Sequence, residues 1–298
     1  MEYDVIAVAD IFADVIIVSK NKPEFDQVEK MAEGYALELG GSAPIFASQF
    51  AKLGGRIAIT TFIGQDALGD FLLQRLREVK VDCSKVFRSA LPTPLGLNIS
   101  VSQDRALLTV LGALQDISAK LLDESFLSKT RHWHIAGYFL IPQLIEYWPR
   151  WAARLQEHGI TISLDTNWSP NGNWKQVQSL LPLVNVFLPN EAEAMAISGM
   201  DNYYDAGVTL SESVNWVVIK RGADGASVFH RGIETKPQFE LSHVAVADTT
   251  GAGDNFDAGY IFEWLRGASA QECLKMAIRC GTSSVQNLGG ISGQVIQN

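Results

Sequence analysis

The chain reads as an α/β protein: a doubly wound, mainly parallel sheet with a small second β-sheet set over it as a lid. Three observations predict this. Short apolar runs alternate with amphipathic helical patterns along most of the 298 residues, the signature of successive βα units. Two segments break that rhythm with apolar residues at every second position, the mark of a sheet with one wet face. A hydrophobic content of 47% over this length suffices for a large core.

The elements follow in order. Asp4–Ala9 is the first expected strand. Ile11–Ser19 and Tyr35–Leu39 alternate and belong to the small sheet. A helix over Ile45–Leu53, a strand over Arg56–Ile63 and a helix over Leu68–Val79 come next. Leu95, Leu97, Ile99 and Val101 then alternate with Gly96, Asn98, Ser100 and Ser102. Ala106–Leu111 repeats the pattern after a turn at Gln103-Asp104-Arg105, so the pair is expected as a hairpin. The lid is therefore assigned to two excursions, residues 12–40 and 92–112. The main rhythm resumes with strands at His132–Gly137, Thr161–Asp165, Val184–Leu188 and Trp216–Lys220, and with helices at Leu144–His158, Glu191–Ile197 and Ala270–Val285. Val244 and Val246 form an apolar run, taken as a strand that turns into a helical pattern over Phe256–Leu265.

Composition narrows the partners. A net charge of −9 and a pI of about 5.1 argue against a nucleic-acid backbone or an anionic membrane surface. No apolar run approaches the ~18 residues of a membrane span. An apolar strand pattern opens the chain, so no signal peptide is expected. Three cysteines, Cys83, Cys273 and Cys280, lack metal spacing and fit a reduced, cytoplasmic protein. Cys273 and Cys280, seven apart, are expected on the buried face of one helix. His132 and His134 share a strand face without two further zinc ligands, and are read as core residues.

The most informative stretch is Asp248 to Gly259, DTTGAGDNFDAG. Gly251 and Gly253 flank Ala252 and let the backbone turn tightly, so that successive N–H groups face one point at a helix start. Asp254 stands beside this anion cradle. A carboxylate there repels a bound phosphate, but it suits removal of a proton from a hydroxyl that attacks a phosphoryl group. A plain glycine-rich loop with an aspartate cap is the alternative. Asp10 and Asp14, with Phe12 between them, follow the first strand, where open α/β sheets bind ligands; paired carboxylates suit sugar hydroxyls. Gly40-Gly41 leads into a helix and permits close backbone approach. Asn190 and Glu193 have the spacing of a capping box, and also of a sparse Mg²⁺ site that works through water. Lys220 and Arg221, followed by Gly222 and Gly225, form either a plain hairpin turn or a loop on the nucleotide side. Asp165, Thr166 and Asn167 end a strand on the same rim, within reach of substrate or phosphates.

With these residues in place, the chain resembles the PfkB, ribokinase-like carbohydrate kinases over nearly its whole length. The matching segments are Asp14, Gly40-Gly41, Gly64-Gln65-Asp66-Ala67-Leu68-Gly69, Asn190-x-x-Glu193, Gly222 with Gly225, and Asp248 to Asp254. The resemblance implies a Rossmann-like core with a β-lid, ATP and Mg²⁺, and Asp254 as base. It implies an anion hole from Gly251, Ala252, Gly253 and the Asp254 amide, and a monovalent cation such as K⁺ near Asp248 and Thr250. Ile45, Phe12 and Leu114 replace polar residues frequent in the family, which disfavours ribose relative to fructose, a deoxy or keto sugar acid, or a ligand with an apolar part. Asp165-Thr166-Asn167 and Lys220-x-Gly are similar to segments of the fructokinase and 2-keto-3-deoxygluconate kinase branches.

The expected activity is ATP-dependent phosphorylation of a primary hydroxyl on a small sugar. Other readings within the family are a ribokinase or nucleoside kinase. The edge of the lid sheet suggests a homodimer. A dinucleotide-dependent oxidoreductase is disfavoured because Ala7-Val8-Ala9-Asp10 stands where G-x-G-x-x-G belongs, and no Walker sequence occurs. A non-catalytic sugar or nucleotide sensor on the same fold has no use for Asp254.

Overall fold

A computed structural model describes the whole chain except Ser102, Gln103, His243 and Asn298, together with the side chains of Asp104 and Arg105. Of the turn expected at Gln103-Asp104-Arg105, Gln103 lies outside the described residues, while Asp104 and Arg105 belong to the strand that follows. The strands are β1 (Val5–Val8), β2 (Phe12–Ser19), β3 (Gly34–Gly40), β4 (Ile57–Gly64), β5 (Asp82–Ser89), β6 (Leu95–Val101), β7 (Asp104–Val110), β8 (His132–Ile135), β9 (Thr161–Leu164), β10 (Val186–Phe187), β11 (Trp216–Lys220), β12 (Ala226–His230) and β13 (Ile233–Thr235). The α-helices are α1 (Ser42–Lys52), α2 (Ala67–Glu78), α3 (Trp148–Glu157), α4 (Glu191–Ser198), α5 (Tyr203–Leu210), α6 (Ala252–Trp264) and α7 (Ala270–Ser284).

Nine strands form one sheet in the order β13-β12-β11-β10-β9-β8-β1-β4-β5. It is parallel from β5 to β11; β12 and β13 close the edge antiparallel. Apolar residues of α1, α6 and α7 pack on one face around Phe46, Phe50 and Tyr260. Those of α3, α4 and α5 pack on the other around Trp133, Trp148 and Phe187. The chain runs from β1 to β4 and β5 on one side, then returns to β8 on the other. This reversal beside β1 is the switch point at which open α/β sheets leave a crevice.

A second, four-stranded sheet has the order β3-β2-β6-β7. Its β6–β7 pairing is antiparallel, from Leu95↔Val110 to Val101↔Asp104. β2 pairs antiparallel with β3 and parallel with β6.

Three expectations are corrected. The strand expected at Val244 and Val246 is not formed: the Ala247 and Asp248 amides both donate to the Val285 carbonyl, so this segment crosses the end of α7 and does not join the sheet. The helix expected from Leu144 begins at Trp148, because Pro149 lacks an amide donor and sits in the first turn, while Pro142–Leu144 forms a short 3₁₀ turn. Helix α5, capped by Asn202 on the Asp205 amide, was not expected. The expected burial of Cys273, Cys280, His132 and His134 is observed. Cys273 and Cys280 are buried on α7. His132 and His134 are buried against the Ser163 hydroxyl at 2.7 and 2.8 Å. Burial pushes the His134 imidazole down to about 3, so it is neutral.

Candidate active site

The candidate residues gather at the carboxyl ends of β1, β9, β10 and β11, around the first turn of α6. Asp10 leaves β1 fully buried, and its two oxygens accept from the Ser42 and Ala43 amides, each at 3.0 Å. The first turn of α1 is thereby fixed beside the cavity. Gly41 makes this possible: its φ is 97°, and a Cβ there would lie 1.8 Å from the Asp10 carbonyl oxygen. Burial pushes the Asp10 carboxyl up to about 6.

Asp14, on β2, points its carboxylate between two glycines. A Cβ on Gly40 would lie 2.1 Å from one of its oxygens, and a Cβ on Gly96 2.5 Å from the other. Burial, then the charge of Asp10, pushes Asp14 up to about 6. Asp10, Asp14 and Asp254 share a cavity of about 410 Å³ between the two sheets, with Phe12, Asn98, Leu107, Leu108 and Leu140 on its walls.

The α6 turn stands where this cavity meets two others. Gly251 caps the helix with φ 71°. The amides of Gly251, Gly253 and Asp254 find no acceptor among the described residues, whereas that of Ala252 already donates to Thr249 at 3.2 Å. The cradle thus presents three open amides, not the four anticipated. Asp254 is half-buried. Burial raises its carboxyl well above the ordinary range and the Asp165 carboxylate adds to this, while Lys220 opposes both.

Asp165 and Asn167, expected at the substrate, are absent from the lining of the 410 Å³ cavity. They line a polar cavity of about 280 Å³ with Asn190, Glu193, Lys220 and the 251–254 turn. Asn167 is left-handed at φ 56°; its Oδ1 accepts from the Gly137 amide and its Nδ2 donates to the Ser42 hydroxyl, each at 2.9 Å. Lys220, expected at phosphate, is committed internally: its Nζ donates to Asp165 at 2.9 Å and to Asp257 at 3.1 and 3.2 Å. Burial would push the Asp165 carboxyl up, but Lys220 holds it below the usual range.

The capping box of α4 is real, with Asn190 and Glu193 exchanging two 2.9 Å bonds. Burial raises the Glu193 carboxyl to about 7. Asp248 likewise has local partners: one oxygen accepts from the Thr250 amide and hydroxyl, the other from Gly289. Gly222 and Gly225, at φ 55° and 77°, turn β11 into β12 and line a third cavity of about 370 Å³, whose walls include Leu241, Val244, Val246, Phe256 and Ile278.

Sequence reasoning missed Asp257, Ser42 and Asn98. A signal existed for Asp257: it is a lone acid in a wholly buried run from Asn255 to Phe262. Ser42 and Asn98 carry no such mark; only the approach of α1 and β6 to the cavity brings them there.

At the α6 turn the Asp254 carboxyl and open amides face two adjoining cavities, an arrangement compatible with group transfer between two bound molecules. Comparison with known proteins agrees. The profile of the pfkB family carbohydrate kinases matches residues 3–296. A 2-dehydro-3-deoxygluconokinase of Bacillus subtilis is 27% identical, over 89% of this chain and 90% of its own length. The ribokinase of Arabidopsis thaliana is 25% identical, over 96% and 77%. The crystal structure of an E. coli protein provisionally called ribokinase II, in complex with ATP and Mg²⁺, superposes with a TM-score of 0.86 at 26% identity, covering 98% of this chain and 96% of that one. The chain therefore belongs to the pfkB family of carbohydrate kinases. It has the ribokinase-like fold and is an ATP-dependent sugar kinase.

Proposed function

We propose that the enzyme transfers the γ-phosphoryl group of ATP to a primary hydroxyl of a small sugar held in the 410 Å³ cavity, with Asp254 as the general base. The observation that carries this reading is the Asp254 carboxyl on the lining of both the acceptor cavity and the polar cavity, beside the open amides of Gly251 and Gly253. The sugar donates hydroxyls to Asp14 and packs over Gly41. The purine lies in the 370 Å³ cavity along Gly222, Gly225 and Val246, and the phosphates extend past Asn190 toward the 251–254 turn. As the sugar oxygen attacks the γ-phosphorus, its proton passes to Asp254, the bond to the β-phosphate oxygen breaks, and ADP leaves. The open amides donate to the phosphoryl oxygens, fixed in place beforehand.

The polar cavity suits Mg²⁺: Asn190 and Glu193 offer oxygen ligands, and this ion takes few protein ligands while keeping several waters. Bound there, Mg²⁺ supplies charge neutralisation on the phosphates. Among the described residues no group of three or more acidic, histidine or cysteine side chains forms a metal cage, which fits so sparse a site. Asp248 and Thr250 remain the proposed place for K⁺, checked by titrating KCl into the assay. A lid role for residues 12–40 and 92–112, and a homodimer through that sheet, are supported by exposed Tyr35, Leu107, Leu108 and Val110; the solution mass tests the dimer. A cytoplasmic location agrees with three free buried cysteines.

Asp254→Asn tests the central assignment. Turnover should fall by about 10²- to 10⁴-fold with nucleotide affinity retained. Near-normal turnover rejects Asp254 as the base.

A further inference from the structure

The first amides of α6 point out of the helix start, and its carbonyls point the other way. The carbonyl side of the 251–254 turn is held by a buried network of side-chain amides. Asn255, next to Asp254, is fully buried. Its side-chain nitrogen has two N–H groups and uses both, donating to the Gly251 and Gly290 carbonyls at 2.8 Å each. The Gly251 carbonyl also takes the Asn255 backbone amide at 2.9 Å. Asn255 Oδ1 accepts from Gln294 Nε2 at 2.8 Å, and the same nitrogen donates to the Ile45 carbonyl at 3.0 Å. Gln294 Oε1 in turn accepts from the Ser48 hydroxyl at 2.7 Å. Gln294 thereby joins α1, whose Ser42 and Ile45 line the 410 Å³ cavity, to the turn that lines both that cavity and the polar one. Packing leaves little play, since a Cβ on Gly251 or Gly290 would collide with the Ile45 side chain. A buried polar network with its donors and acceptors matched fixes one arrangement of the elements it joins.

We propose that Asn255 and Gln294 are positioning residues, which hold the open amides of the 251–254 turn in register with the acceptor wall on α1. The proposal rests on the reading of that turn as the phosphoryl cradle and names what aligns it. Both residues act through Gly251 and Ile45. An amide stabilises the transferring group only if it is aimed in advance at the charge that develops. Misplacement by ~1 Å costs about 10²-fold in rate. Loosening the network therefore weakens the transition state and leaves the binding of either substrate nearly as it was.

The test compares Asn255→Ala, Asn255→Ser and Gln294→Met with the wild type. Fructose, ribose, adenosine and 2-keto-3-deoxygluconate are tried as acceptors, and the best serves throughout. Asn255→Ala and Gln294→Met should lower kcat by at least about 30-fold, with KM for ATP and for the acceptor within about 3-fold of wild type. Asn255→Ser and Asn255→Ala leave almost the same void, so packing alone predicts equal losses. The hydroxyl of Asn255→Ser, however, reaches the carbonyl four residues back, that of Gly251. Its kcat should exceed that of Asn255→Ala by about 5-fold or more, the worth of one hydrogen bond. Calorimetric titration with ADP, alone or with aluminium fluoride and the acceptor, reads the cradle separately. Affinity for the fluoride complex should fall by the same factor as kcat, and affinity for ADP alone should hold. Gln294→Met keeps the space filled and carries the test where Asn255→Ala does not fold. Wild-type kcat in Gln294→Met, equal kcat in Asn255→Ser and Asn255→Ala, or losses confined to KM overturn the inference. Failure of all three variants to fold marks the network as merely structural and also overturns it. In each case Asp254→Asn still decides the kinase mechanism by itself. No acceptor-dependent ADP release from the wild type overturns both.

Discussion

The role proposed for Asp254 depends on its surroundings. A carboxylate of ordinary acidity is a weak base toward an alcohol; burial and the neighbouring Asp165 raise its proton affinity. The sign of the pH effect follows. Asp254 must be ionised to accept the proton, so kcat/KM should fall as pH drops through its raised pKa. The acid limb should lie above that of a free aspartate, and a limb at the free-aspartate position counts against the role. Asp14 gives a stability counterpart. Its pKa rises from 3.8 to about 6 on folding, so the folded state holds a proton that the unfolded state releases between those values. Asp14 therefore favours folding below pH 3.8, and that contribution is lost as pH rises through 6. Asp14→Asn should accordingly stabilise the protein at pH 7.5 by on the order of 1–2 kcal/mol, allowing for solvent in the open cavity, while raising the acceptor KM. The gain should vanish in melts at pH 4, and an unchanged melting temperature at both pH values refutes it.

At the scale of elements, glycines decide what the strands and helices can hold. Asp14 fits only because β3 and β6 present Gly40 and Gly96 to it. Gly96→Ala should displace the carboxylate and raise the acceptor KM at least about 10-fold, roughly one hydrogen bond to a charged group, with the KM for ATP unchanged; equal effects on both substrates contradict this. Gly251 faces two constraints. Its φ is 71°, and a Cβ would sit 2.9 to 3.0 Å from Ile45 and Gly290. Gly251→Ala should distort the α6 turn, costing about 1–2 kcal/mol of stability for the left-handed residue alone, and lower turnover; a crystal structure of the variant and its denaturation midpoint check both. The motif at 251–254 was legible in the sequence because helix starts and tight turns are local. The spent Ala252 amide was not, because it depends on how the 249–251 turn closes.

Across the whole molecule, Lys220 joins what the chain keeps far apart. It ties the end of β11 to Asp165 after β9 and to Asp257 on α6, all within the interior. Lys220→Met leaves two buried acids without a counter-ion, and should cost about 3–5 kcal/mol, read as a lower denaturant midpoint. A loss under 1 kcal/mol means that the cluster rearranges without it. This cluster was not legible in the sequence: Asp165 and Lys220 were each read from the motif around them, whereas in a low-dielectric interior opposite charges brought together by the fold pair with one another.

The sequence by itself determined the layer architecture, the small alternating sheet and the D-T-T-G-A-G-D turn. Each rests on periodicity or on backbone constraints that act within a few residues. The tertiary structure alone decided which carboxylates line the cavity between the two sheets and which are held by amides or Lys220. Those facts arise where β1, β6, α1 and α6 converge from positions up to some 240 residues apart, and burial at that convergence sets the charge of the site.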